Sequence, residues 1–386
     1  MANFLTDIEL QLIPVVIGME TTGFKVDKEK LCILKAELLL TMAEIEGLYP
    51  GVNLNSPKQL REYMIKQGHS ESLSTYVTYN QVPSMDKLSL KRLLNKIPMC
   101  KDVLKYREVS KLLSTYVEPM LLKDYWAGNF NQVGTITGRF SSSKPNLQQI
   151  PVRTMLGKRV RECLTARPGK ALIISDMSQI EPRLYAFFSQ DTKLLNIYKT
   201  GGDFHTAVTK TIYTLNGTPP TKEQRFVGKT CGLATLYGSG TAGLSETLIK
   251  NDVFLPDSDV NNIRNKIKYG YKDAIDWYWS YKNKAIKDGH IKTLLGRSIP
   301  MVRGMNPVNT KIQGSCADMI KVCMLNIHRA GYTIIVTAHD EVVVEVDDYL
   351  AGEASREISA IMEQSILLRG MPLKAETSIG LNWGDK

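Results

Sequence analysis

The 386-residue chain carries 49 Lys and Arg against 39 Asp and Glu, a formal charge of +10, with 43% hydrophobic and 23% charged residues. This ordinary globular usage excludes a disordered or fibrous chain, and no run approaches the ~20 apolar residues of a membrane-spanning helix. At ~100–200 residues per domain, the length allows two or three domains or one large divided body. The opening Met-Ala-Asn-Phe-Leu-Thr-Asp-Ile-Glu bears acids where a secretory or transit signal bears basic residues, so a soluble, intracellular, cytoplasmic protein is expected. Cys32, Cys100, Cys163, Cys231, Cys316 and Cys323 form no C-x-x-C pair and read as reduced, mostly buried thiols. The positive charge fits a polyanionic partner and equally fits a solvated basic surface.

Along the chain, Asp7 and Glu9 read as solvated surface acids. From about Asp27 to Gln67 the pattern is helical, with Leu31, Ile33, Leu34, Leu38, Leu39 and Met42 at helix spacing. Pro50-Gly51 breaks that helix, and Asn55-Ser56-Pro57 caps the next, with Pro57 in its first position. A third helix is expected over Lys101–Met120, with Val103, Leu104, Val109, Leu112, Leu113 and Val117 on one side. Its other side carries Lys101, Lys105, Arg107 and Lys111, either a solvated face or one that grips a nucleic-acid backbone. Residues 134–151 are rich in Gly, Ser, Thr, Asn and Pro, too polar for a core and too long for a simple turn. Strand-like runs follow at 171–175, 332–337 and 342–346, separated by about 150 mostly helical residues. A sheet-based body with a large helical insertion is the simplest architecture.

Acids flank these strands. Asp176 follows the first run, and His339-Asp340-Glu341 lies between the other two, which reads as a hairpin with acids at its tip. Should the strands pair, Asp176 and Asp340 converge, and two such carboxylates suit a pair of Mg²⁺ ions ~3.5–4 Å apart. Taken singly, each is an ordinary turn acid. Arg225, Lys229, Leu233 and Tyr237 recur every four residues along one helical stripe, offering two cations and a ring to a nucleoside triphosphate. The polar face of a core helix would look the same, but the stripe stops at Tyr237-Gly-Ser-Gly240. Asp203-Phe-His205 lies just upstream and offers a further phosphate contact.

Three motifs, Asp176-Met-Ser-Gln-Ile-Glu-Pro-Arg183, Arg225-x3-Lys229-x7-Tyr237-Gly238 and His339-Asp340-Glu341, resemble the polymerase motifs of family A DNA polymerases, the group of bacterial DNA polymerase I. Supporting matches occur in the family's order. They are Asn53-Leu-Asn-Ser-Pro-Lys-Gln-Leu60, Lys111-Leu-Leu-Ser-Thr-Tyr116, Thr137-Gly-Arg-Phe-Ser-Ser-Ser-Lys-Pro-Asn-Leu-Gln-Gln-Ile-Pro151, Leu295-Gly-Arg297, Gln313-Gly314 and Asn382-Trp-Gly384. The resemblance covers residues from about 8 to the end.

It implies an α+β right-hand fold with an antiparallel-sheet palm and helical fingers and thumb. The thumb, with an N-terminal palm-edge segment, would take residues 1–125, the palm 126–185 and 300–386, and the fingers 186–299. It also implies a template-directed DNA polymerase, polymerase domain only and phage-type in kind, that adds dNTPs to a primer 3′-OH. Two Mg²⁺ ions are expected as cofactors, with Mn²⁺ able to substitute. Asp176 and Asp340 would be catalytic metal ligands with the Met177 carbonyl, and Glu341 would support them. Arg225, Lys229 and His205 would hold the β- and γ-phosphates, and Lys229 would protonate the departing pyrophosphate. Gln179, Glu181, Leu233 and Tyr237 would complete the dNTP site, with Glu181 excluding the ribose 2′-hydroxyl and hydrogen-bonding toward Tyr237. Tyr237 would stack near the templating position. Arg139, Gln313, His339, Lys111 and Asn309 would contact DNA, the first two at the minor-groove acceptors that every correct pair presents alike.

Three positions depart from the family pattern. Leu233 stands where Phe or Tyr is typical beside the sugar, Pro182 replaces an aliphatic residue, and the stretch between Tyr116 and Thr137 is short. Asp7-Ile-Glu9 mimics the acid pair of a proofreading domain, but only six residues precede it, so no editing domain is expected. Primer–template DNA and dNTPs are the expected partners of a monomer without a membrane, with a separate exonuclease, helicase or processivity protein supplying what this chain lacks. The host cytoplasm would be its location were the source viral. A catalytically silent DNA-binding replication factor and a single-subunit RNA polymerase relative are the alternatives; the intact motif residues argue against the first and Glu181 against the second.

Overall fold

Ala171-Leu-Ile-Ile174 is apolar on both sides of an extended chain, which suits a strand covered on both faces. In the computed structural model it lies at the centre of the main sheet. The structure describes residues 5–386 apart from 153 and 216. Four antiparallel strands, β1 (Lys170–Met177), β2 (Thr333–Ala338), β3 (Glu341–Asp347) and β4 (Ala375–Gly380), run in the order β4-β1-β3-β2. The register pairs Asp176 with Glu341 and Ala171 with Val346. Leu172, Ile173 and Ile174 of β1 and Val342, Val343 and Val344 of β3 are fully buried. At ~1.5–3 kcal/mol for each such side chain, a one-residue slip would forfeit this burial, so the apolar run itself enforces the register.

Helix α1 (Ile13–Thr22) lies against β2. Helix α2 (Lys28–Leu48) begins where the Asp27 carboxylate accepts the Lys30 N–H at 3.0 Å, an N-cap. The helix starting at Pro57 is capped by Ser56, as its sequence predicts. Helix α3 (Met99–Leu112) continues through one π-helical turn, Leu113–Val117, into Glu118–Leu121, so the expected helix is present but under-wound near its end. Val103, Val109, Leu112, Leu113 and Val117 are buried as expected. The basic side needs correction: Lys101, Lys105 and Lys111 are exposed, but Arg107 is half-buried and donates to the carbonyls of Leu54 and Met85. It ties loops to the helix. Leu54, Leu60, Leu90, Val103 and their neighbours form a satellite core separate from the main one, which marks this region as a lobe of its own.

The insertion between β1 and β2 is largely helical and includes α4 (Ile180–Ser189), α5 (Phe204–Tyr213), α6 (Lys222–Leu236) and α7 (Thr241–Lys250). Pro182 sits in the first turn of α4, where its missing N–H costs nothing. The long α8 (Pro307–Arg329) then leads back to the sheet, and α9 (Ala351–Gln364) packs across β1 and β4. The lobe and the insertion touch where Lys91 Nζ meets Asp252 at 2.6 Å and the Lys250 carbonyl at 2.8 Å.

Two expectations about individual segments change. The polar stretch 134–151 is not all loop: Ser141–Ser143 pairs with Asn129–Asn131, and Leu147 and Ile150 are buried in the main core. Asp7 is exposed as expected, but Glu9 is only 3% exposed and lies between Lys321 and Arg297. Its cationic partners stand some 300 residues away, beyond the reach of any local pattern. Among the described residues no helix is long and apolar enough to cross a membrane.

Candidate active site

The β2–β3 turn and the end of β1 bring the acids together. His339 adopts a left-handed φ of 58°, which lets the chain reverse in two residues, and the Met177 N–H donates to the Asp340 carbonyl at 3.1 Å. Asp176 and Asp340 therefore lie side by side at the ends of the two central strands. Burial is the main force raising the Asp340 carboxyl, to about 7; Glu181 and Asp176 push the same way, and Arg139 and Lys386 pull against them. Asp176 is also raised, chiefly by burial, with Lys386 opposing.

Lys386 was not anticipated. Its ammonium lies 2.6 Å from Asp176 Oδ2 and 2.9 Å from Glu341 Oε2. The other Glu341 oxygen accepts from Trp383 Nε1 at 2.8 Å and faces Arg161, whose guanidinium lies 3.9 Å from the Trp383 ring centre. Glu341 is thus oriented from behind, consistent with a supporting carboxylate. That a cation sits on Asp176 and Glu341 is the local sign that these donors suit one. Among the described residues no three His, Cys, Asp or Glu side chains are grouped to hold an ion by themselves. The donor set is therefore hard and incomplete, the kind that binds Mg²⁺ only with further oxygens from carbonyl, water or phosphate.

Glu181, in the first turn of α4, uses both oxygens: Oε1 accepts from Arg139 Nη2 at 2.6 Å, and Oε2 from the Tyr237 hydroxyl at 3.0 Å. The expected Glu181–Tyr237 link is present. Arg139, expected to face DNA, is held here by Glu181. Tyr237 also packs edge-on against Tyr185, and its carbonyl accepts from Asn306 Nδ2 at 2.7 Å. Burial, with Glu181 adding, pushes the Tyr237 phenol well above its ordinary range, so it acts as a hydrogen-bond donor.

Asp203 is the hub on the opposite side. It caps α5 through the Thr206 N–H (2.7 Å), accepts from Arg225 Nη2 (3.0 Å) and takes a bond from Gln179 Nε2 (2.8 Å). Gln179, in a left-handed conformation, accepts in turn from the Phe204 N–H at 3.0 Å. Burial, reinforced by Lys229 and Arg225, drops His205 to about 4, so its imidazole is neutral at pH 7. Lys229 is exposed one turn beyond Arg225, followed by half-buried Leu233. This alignment depends on close approach of α6 to α5: a Cβ on Gly228 would run into Thr209 Oγ1. Gly228→Ala gains about 1 kcal/mol of helix propensity but incurs about 1–3 kcal/mol of overpacking. The variant is expected to unfold at lower urea concentration, by about 1 kcal/mol net; an unchanged midpoint would mean the helices separate freely.

Asn309 and Gln313 stand one turn apart on α8, whose Gly314 abuts the Thr137 carbonyl, so Gln313 neighbours the loop that carries Arg139. His339 is exposed and helps to line a small cavity with Arg139, Phe140, Gln148, Thr337 and Asp340. Phe140 and Gln148, which donates to the Thr337 carbonyl at 3.2 Å, escaped the sequence reading although they lie inside its motif. Asp203 was visible only as part of an Asp-Phe-His run. Lys111 stays on the outer side of α3 in the N-terminal lobe, apart from the residues gathered here.

Comparison with known proteins agrees with this geometry. The family model described as DNA polymerase family A matches residues 29–385. The chain is 32% identical to DNA polymerase I of Helicobacter pylori J99 over 98% of its own length and 44% of the relative's. It is 29% identical to the thermostable DNA polymerase I of Thermus aquaticus, over 98% and 48%. It thus spans less than half the length of these curated relatives. The POL domain of Pol1 from M. smegmatis, solved in complex with DNA primer-template and dNTP, superposes with a TM-score of 0.89 at 29% identity, over 99% of this chain and 71% of that one. With a four-stranded antiparallel sheet, a helical insertion and a helical lobe in the arrangement of that α+β right-hand fold, the chain belongs to DNA polymerase family A.

Proposed function

We propose that this chain is a template-directed DNA polymerase that extends a primer 3′-OH with dNTPs. The observation that carries the reading is the β1–β3 register, which sets Asp176 beside the hairpin bearing Asp340 and Glu341. The lobe up to residue 125 would be the thumb, 126–185 and 300–386 the palm, and 186–299 the fingers. Divalent cations, Mg²⁺ or Mn²⁺, held by Asp176, Asp340 and the Met177 carbonyl would lower the pKa of the attacking 3′-hydroxyl and stabilise the charge that builds on the leaving pyrophosphate.

The protein's own groups do the rest. Lys386 leaves the carboxylates when that site fills. Arg225 exchanges Asp203 for the triphosphate, Lys229 hands a proton to the pyrophosphate oxygen, and neutral His205 donates to phosphate without adding charge. Glu181 blocks the 2′ position, Tyr237 faces the templating base, and Arg139, Gln313, Asn309 and His339 line the primer end. Exposed Lys111 meets the duplex backbone, where binding weakens as salt rises. Glu9, one of two acids that mimic an editing site, is paired with Lys321 and Arg297 within the core, so this acid pair is not an editing site.

The test is extension of a labelled primer on a DNA template, with dNTPs or NTPs and with Mg²⁺ or EDTA. Extension is expected with dNTPs and Mg²⁺ alone. Extension only with NTPs would favour an RNA polymerase; tight duplex binding without extension would favour a silent accessory factor.

A further inference from the structure

We propose that Glu9 is a positioning residue of this site: its buried carboxylate seats Arg297 against Gly138 and thereby fixes the loop from which Arg139 reaches Glu181. The consequence for selectivity rests on the polymerase reading; the positioning itself does not.

Glu9 Oε1 accepts from Lys321 Nζ at 2.6 Å and from Arg297 Nη2, while its backbone carbonyl accepts from Gln132 Nε2 at 2.6 Å. The Gln132 carbonyl accepts from Lys321 Nζ at 2.7 Å. Asp318 grips the other side of the Arg297 fork, Oδ1 to Nε at 2.8 Å, and takes Thr293 Oγ1 on Oδ2 at 2.5 Å. Asp318 and Lys321 are both 0% exposed. Two acids and two cations make a neutral buried cluster, and Glu9 Oε2 is still left without a partner. Buried ion clusters of this kind are often no more stable than well-packed apolar substitutes. Stability is therefore a poor reason for charge here, and orientation of the guanidinium is a better one.

What the guanidinium touches supports this. A Cβ on Gly138 would lie 2.8 Å from Arg297 Cζ and 2.9 Å from its Nε, so the planar fork is stacked directly on the backbone of the residue before Arg139. Gly138 has φ of 76°, and its N–H donates to the Thr135 carbonyl at 3.0 Å. Thr135 Oγ1 closes the loop by donating to the Arg139 carbonyl at 2.9 Å. α8, the helix that also carries Asp318, approaches the Thr137 carbonyl at Gly314. The backbone leading into Arg139 thus packs at Gly138 on the Arg297 fork and at Thr137 on α8, and from this loop the Arg139 side chain meets Glu181 at 2.6 Å. Without the Glu9 charge, the Arg297 fork loses the carboxylate that holds its Nη2.

Two full-length variants test this, Glu9→Gln, and Arg297→Lys, which keeps the cluster neutral but removes the planar fork. The first readout, amide hydrogen exchange, is independent of activity. Exchange in residues 134–140 is expected to rise at least about tenfold while the β1 strand stays protected. The second readout is the ratio of dNTP to rNTP kcat/KM, expected to fall about tenfold or more, within the ~100-fold that a 1 Å misplacement can cost. Should Glu9→Gln not fold, Arg297→Lys decides alone. A folded variant with unchanged exchange in residues 134–140 would overturn the proposal. Loosened exchange with unaltered sugar selectivity would overturn the link to Glu181. A parent chain that extends no primer, yet shows the loosening in its variants, would count against the polymerase reading alone.

Discussion

Asp176→Ala and Asp340→Ala are each expected to lower primer extension at least about a thousandfold while leaving the fold intact. The two carboxylates meet only because β1 and β3 pair in one register. Their effect on stability should have the opposite sign. In the metal-free protein Asp340 is held up at about 7, mainly by burial, well above the ~3.9 of a free Asp. Between those two values the folded state binds more protons than the unfolded one, so this group makes stability fall as pH rises through that window. At neutral pH in EDTA, Asp340→Asn is therefore expected to melt higher than the parent, with activity gone. A variant that lost activity and stability together would point to structural damage; one that extended primers normally would sink the catalytic assignment.

Replacing Glu181 by Ala should erode sugar selectivity about a hundredfold, read as dNTP over rNTP kcat/KM. The carboxylate cannot swing aside, because one oxygen is held by Arg139 and the other by the Tyr237 hydroxyl. A blocking group serves only when it is rigid, and two opposed hydrogen bonds supply that rigidity. Removing it also releases Arg139 and Tyr237, so dNTP incorporation itself should slow. Glu181→Gln keeps the bulk but offers one acceptor in place of two, and an intermediate ratio is expected. Unchanged selectivity in Glu181→Ala would assign rejection of ribonucleotides to another residue.

Some of this was legible before any fold was known. The strands of Ala171–Ser175 and Val342–Val346 announce themselves by β-branched apolar runs, and their terminal acids follow directly. The Arg225–Tyr237 stripe is readable because helical spacing is local, and so is the cap at Ser56. The Glu181–Tyr237 pairing came from family resemblance, and the geometry agrees with it. Glu9 was misread as solvated, since a short acidic segment near an N-terminus carries no sign of a buried Lys321 or Arg297. Arg107 was misread for a similar reason: its carbonyl partners belong to loops that the helical pattern does not describe. Lys386 was passed over, and Asp203 was seen only as part of its Asp-Phe-His run, because a single charged residue has no periodicity.

By itself, then, the sequence determined the main strands and helices and, through motif resemblance, the family, because those rest on spacing within a few turns or a single strand and on short ordered motifs. The tertiary structure alone decided which charges are neutralised by which. Asp203 holds Arg225, Lys386 bridges Asp176 and Glu341, Glu181 clamps Arg139, and Glu9 joins Arg297 and Lys321. Those pairings span tens to hundreds of residues. They follow from strand register and from helices that approach closely where glycine leaves room, and Coulomb energy acts on the resulting distances rather than on position along the chain.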